Sequence, residues 1–185
     1  MGALERSKLC WGICGGAALA ACLLCTGCAG VPMHERSAGE VAAALEQRHC
    51  GGNADEAALA PVLSGAAVET WERAYSSVPA HGGEGTHRRL AGAAFTVRAV
   101  KGYSAEWLDR ALTCHSARRA LGRLPPEGEA QDPFSLPGKT VDIRVESTGE
   151  GFLVEARSPD VAEASEIVAR ARAFTSGARA MVCAR

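Results

Sequence analysis

Two adjacent pairs of metal-capable side chains stand in this chain, His49-Cys50 and Cys114-His115. Imidazole with thiolate suits copper or zinc, which makes Cys114, His115, His49 and Cys50 the candidate metal ligands. Two arguments weigh against a metal. Neighbouring residues on a helix point about 100° apart, so one such pair rarely chelates a single ion. A cysteine on an apolar helix face is also ordinary core material. Nucleophilic catalysis by Cys114 has less support still. Activated thiols favour helix N-termini, where the dipole lowers their pKa, and Cys114 falls mid-helix. No strained elbow or glycine-rich oxyanion loop accompanies it. No catalytic residue is assigned.

The remaining reactive types read as surface. Asp55-Glu56, Glu69 with Glu72, and Glu163 with Glu166 are the paired acids, and a solvated helix face accounts for the last pair. Arg118-Arg119 reads as a surface cation pair, and no phosphate-binding Gly-x-x-x-x-Gly-Lys-Ser/Thr loop is present. The loop 132–138 holds Phe134 and Leu136 between Pro133 and Pro137. It reads equally as a contact site or as a lid on the sheet's open face.

Five of the eight cysteines lie in the first 28 residues. Arg6 and Lys8 precede an uncharged apolar run over residues 9–24, shorter than the roughly 20 residues that span a bilayer. The run ends Leu23-Leu24-Cys25-Thr26-Gly27-Cys28, and polar residues follow at His34, Glu35 and Arg36. This start resembles a bacterial lipoprotein signal peptide with its lipobox. Small residues before the cysteine let an extended backbone fit the signal peptidase. Cys28 is the preferred lipidation site, because cleavage there removes the whole apolar run. Leu19-Ala20-Ala21-Cys22 is the alternative, and cleavage at Cys22 leaves Leu23 and Leu24 on the mature end. An uncleaved anchor and an iron–sulfur site on Cys22, Cys25 and Cys28 are the lesser readings. The apolar surroundings speak against the cluster.

The resemblance covers residues 1–28 of 185. It implies a lipid-anchored protein of the cell envelope facing the periplasm, with the membrane as its first partner. Ala29 rather than Asp follows Cys28, which favours the outer membrane. It implies no activity. An oxidising envelope permits disulfides. Cys50, Cys114 and Cys183 remain outside the signal, so at most one intramolecular bond forms. Cys50–Cys114 is the favoured pairing, should the N-terminal helix dock on the helix carrying Cys114, and a fully reduced chain stays open as well.

Lys and Arg number 20 against 21 Asp and Glu, a net charge of −1. That balance lacks the basic footprint of a nucleic-acid binder and offers no polybasic patch for a membrane. The partner is then an envelope protein or a small ligand.

Ser37-Ala38-Gly39-Glu40 is a capping box, opening a helix that ends near Gly51-Gly52. A second helix from 53–56 is cut short at Ala60 by Pro61. Residues 66–76 fit a helical stripe (Val68, Trp71, Tyr75) and also a strand alternation (Val68, Thr70, Glu72, Ala74), with helix preferred. Residues 77–89 read as a glycine-rich loop. Phe95, Val97 and Ala99 mark a strand, and Ser104 caps a long helix to Leu121. Val141, Ile143 and Val145 pair as a hairpin with Phe152, Val154 and Ala156. Ser158-Pro159-Asp160 starts a helix to Gly177, followed by a short strand at 180–183.

Residues 92–185 thus read as a βαββαβ, ferredoxin-like α+β module. The segments are 1–28 signal, 29–36 tether, 37–91 helical and loop segment, and 92–185 module, with 37–185 as one domain. The functional expectation is a membrane-anchored envelope lipoprotein with a non-catalytic binding domain. The alternative is a metal or redox protein using Cys114 and His115.

Overall fold

The computed structural model of this chain describes residues 36–50, 56–80, 85–126 and 128–183, of which the side chains of 177–183 are not included. Cys22 and Cys28 lie outside these residues. Residues 35–185 form one compact unit.

Eight main elements follow in the order α1 (Ala38–His49), α2 (Glu56–Leu63), β1 (Val68–Pro79), β2 (Thr86–Arg98), α3 (Ala105–Ala120), β3 (Asp142–Ser147), β4 (Gly151–Arg157) and α4 (Val161–Cys183). A short 3₁₀ turn, Glu129–Gln131, precedes β3. The four strands form one antiparallel sheet in the order β1-β2-β4-β3. The chain is therefore mixed α+β. No described helix is long and apolar enough to cross a membrane.

Local chemistry sets the helix starts. The Ser37 hydroxyl accepts from the Glu40 amide at 3.2 Å, and Glu40 Oε2 accepts from the Ser37 amide at 2.7 Å. Each bond satisfies an amide that the first turn would leave without a partner. Ser104 accepts from the Trp107 amide in the same way at the head of α3. At α4 Asp160 does this work rather than Ser158. Its Oδ1 accepts from the amides of Ala162 and Glu163 at 2.8 and 3.0 Å.

Four sequence expectations are corrected. Residues 68–79 are strand, not helix: Trp71 lies opposite Phe95, and alternation wins because β2 offers a ladder partner along its length. Much of the expected 77–89 loop is strand as well, since β1 runs to Pro79 and β2 begins at Thr86. Pro61 does not end α2, which continues to Leu63. In so short a helix a proline removes only one donor. The final strand is absent from its expected place, because α4 runs through Gly177 to Cys183. The position beside β2 that a βαββαβ order gives to its last strand is taken by β1. After two helices the observed order is ββαββα, and the segment 37–91 is not merely helical and looped.

Phe95 and Val97 of β2, Phe152 and Val154 of β4, and Ile143 of β3 face α3 and α4, whose Leu108, Leu112, Ile167 and Phe174 complete the core. Gly92 in β2 has φ +146, and a Cβ there would stand 2.0 Å from the Ala156 carbonyl oxygen. Only glycine permits that approach at the bulge. Phe134 is fully buried, with its ring centroid 5.1 Å from Phe95 and 6.2 Å from Phe174. Residues 132–136 of the loop are thus part of the core rather than a lid on the open face, while Pro137 and Gly138 are exposed. The outer side of α3 is covered by α1, which explains why every residue from Ala111 to Ala117 is buried.

Ile143→Ala should destabilise the fold by about 2–5 kcal/mol in urea unfolding. Val161→Ala, at a residue 48% exposed, should stay within about 0.5 kcal/mol.

Candidate functional site

Cys114 and His115 sit side by side on α3, and their divergent directions send them to different partners. Cys114 bonds to Cys50, the residue that caps the C-terminus of α1, with Cα atoms 5.3 Å apart. That lies inside the limit of about 7 Å for an unforced disulfide.

His115 is 2% exposed and is held at both nitrogens. Nδ1 stands 2.8 Å from Glu56 Oε1 and 3.1 Å from its Oε2, and Nε2 stands 2.7 Å from Asp132 Oδ2. Glu56 is the first residue of α2, and Asp132 follows the 3₁₀ turn. The other Asp132 oxygen accepts from the Phe134 amide at 2.9 Å. Arg119, one turn along α3, brings Nε to 3.8 Å from Asp132 Oδ2 and donates to the Pro125 carbonyl.

Two carboxylates on one ring require both nitrogens to donate, which only imidazolium does. Burial pushes the His115 pKa down. The hydrogen bonds and charges of Asp132 and Glu56 outweigh it and raise the pKa from 6.5 to about 9. Burial pushes Asp132 up in turn, yet the His115 bond and charge and the Phe134 amide hold it below its ordinary value. Two cations and two anions meet, and the local charge sums to zero.

At neutral pH a ring in this state has no lone pair to accept a proton or bind a metal. Thiolate–imidazole ligation at Cys114 and His115 would first require reduction of the Cys50–Cys114 bond. His49 stands apart, near Asp109, whose carboxyl burial holds above its ordinary value. Among the described residues no three His, Cys, Asp or Glu side chains are grouped to hold an ion.

Several other acids and cations are also engaged. Glu163 pairs with Lys139 and accepts from the Ser158 hydroxyl at 2.6 Å, and Glu166 binds Arg170 Nε at 2.8 Å. Glu46 of α1 pairs with Arg118 and Arg123, which adds to the seam between α1 and α3. Arg119 is not the surface cation expected from sequence, since its side chain is only 12% exposed.

Sequence reasoning placed Glu56 among the paired acids and did not connect Asp132 with His115. The ring's partners lie 59 and 17 residues away, and no local spacing marks them. The one available signal is the combination of a mid-helix histidine on an apolar face with an acid opening another helix. In comparisons with known proteins the chain matches no family model, no curated protein and no solved structure.

The raised His115 pKa stabilises the fold fully below the unfolded value of 6.5, and this is lost as pH rises through about 9. Urea unfolding should show a loss of about 3 kcal/mol between pH 6 and 10, absent in His115→Gln. At the acid side, stability should fall as pH drops below the ordinary Asp value, as Asp132 protonates.

Reducing the disulfide should lower stability by about 4 kcal/mol, the chain-entropy value for its 64-residue separation. Cys50→Ser with Cys114→Ser should match the reduced protein and no longer respond to reductant.

Proposed function

We propose that this chain is an envelope lipoprotein, anchored by lipid at Cys28, whose domain binds a protein or small ligand at the membrane surface without catalysing a reaction. The observation that carries the address is Thr26-Gly27-Cys28 at the end of an uncharged apolar run with polar sequence directly after it. The Cys50–Cys114 bond supports an oxidising compartment, since such bonds seldom persist in a reducing cytosol. The buried clamp on His115 supports a non-catalytic reading, because the one histidine beside a cysteine in the core serves packing of three segments.

We also read the sheet as a ferredoxin-like arrangement with one strand relocated. The run β2-α3-β3-β4-α4 follows the split βαβ order, and β1 takes the edge that a C-terminal strand would fill. The periplasmic face of the outer membrane is the favoured location, on Ala29 following Cys28.

Metabolic labelling with a clickable fatty acid tests the address. Label should be lost in Cys28→Ser and kept in Cys22→Ser, and mass spectrometry should find the acylated cysteine at the mature N-terminus. An unlabelled protein, or label that depends on Cys22, would sink the assignment. Elemental analysis tests the function class: stoichiometric copper or zinc alongside free Cys50 and Cys114 thiols would favour the metal or redox alternative instead.

A further inference from the structure

The two edges of the sheet are unequal. β3 is short, and its Asp142, Arg144 and Glu146 alternate in charge, with Arg144 Nε 3.5 Å from Asp142. Short charged edges resist pairing with other chains. β1 spans 12 residues, carries no lysine, and pairs with a neighbour only on the β2 side among the described residues. Its charges are Glu69, Glu72 and Arg73, all exposed, and none makes an ion pair among the described residues. Trp71, between them, is half-buried against the core.

We propose that β1 pairs antiparallel with β1 of a second copy, joining two four-stranded sheets across a two-fold axis centred on Trp71. The choice of register follows from symmetry and charge. A two-fold axis perpendicular to the sheet keeps both helix-covered faces on one side, so opposed residues must share a face and the axis must pass through a residue. Centring on Glu72 opposes Glu72 with itself, and centring on Arg73 opposes Arg73 with itself. Like charges directly opposite destabilise a ladder. Centring on Trp71 opposes Glu69 of each copy with Arg73 of the other, and Thr70 with Glu72, so no like charges meet. Two unsatisfied ion pairs and a pair of facing indoles are made at once. Glu69 lies at the register shift between Val68 and Thr70, which bounds the ladder at that end. The ladder then covers residues 69–73 of each copy.

The test is sedimentation velocity on the detergent-solubilised full chain, with circular dichroism to verify folding. The wild type should sediment as two chains. Glu69→Arg and Arg73→Glu should each weaken association by about tenfold or more, because each converts both cross-copy pairs to like charges. The double variant restores opposite charges and should restore the dimer, which neither an anchor-mediated contact nor a different surface would do. A monomeric wild type overturns the proposal and leaves the edge to a strand of another protein. A dimer indifferent to the single reversals, or not recovered in the double variant, overturns it as well.

Discussion

A buried imidazolium needs its counter-charges in place, and much of this molecule is arranged to supply them. Desolvating a charge is costly unless it is paired and fully hydrogen-bonded. His115 meets that condition only while Glu56 and Asp132 both reach it. Glu56 belongs to α2 and Asp132 to the loop before β3, so the ring ties two distant segments to α3. The adjacent Cys114 ties a third, α1. Neighbouring residues on a helix face different ways, so one short stretch of α3 anchors partners on two sides without crowding. Ser116 extends the pattern, its hydroxyl accepting from the Val141 amide at 2.8 Å where the chain approaches β3.

The same packing explains why α3 is not a simple amphipathic crossover. One side lies on the sheet and the other under α1, so polar Thr113, His115 and Ser116 are enclosed with the apolar residues. Enclosed polar groups must find partners, and the hydrogen bonds of His115 and Ser116 are those partners. Tyr103, ahead of α3, donates to the Ala58 carbonyl and so fastens α2 as well. The constellation that looks most reactive in the sequence is thus turned inward, to hold the N-terminal helices on the sheet.

The sheet has its own constraint. Once β1 lies along β2, no edge beside β2 remains for a C-terminal strand, and the chain after Gly177 continues as helix. Phe134 reaches the core from the preceding loop and meets Phe95 and Phe174 in tilted and edge-on contacts that favour aromatic pairs. Arg170 holds that loop from α4, donating to the Glu129 and Ser135 carbonyls at 2.6 and 3.3 Å.

Much was legible from local pattern. The capping residues Ser37 and Ser104 mark their helices because a cap acts on amides two or three residues away. The alternation at Phe95-Val97, Val141-Ile143-Val145 and Phe152-Val154-Ala156 marks strands because period two buries one face. What the sequence left open depends on partners far away in it. Residues 66–76 fit a helical stripe or a strand alternation, with helix preferred, and only the ladder with β2 decides for strand. Residues 180–183 are strand-like alone, and only an occupied edge makes them helix. Glu56 and Asp132 carry no mark of their shared histidine, because that contact exists only after loops of 59 and 17 residues have closed. Periodicity and capping are short-range and survive in one dimension, whereas the pairing of buried charges is chosen by the packed chain in three.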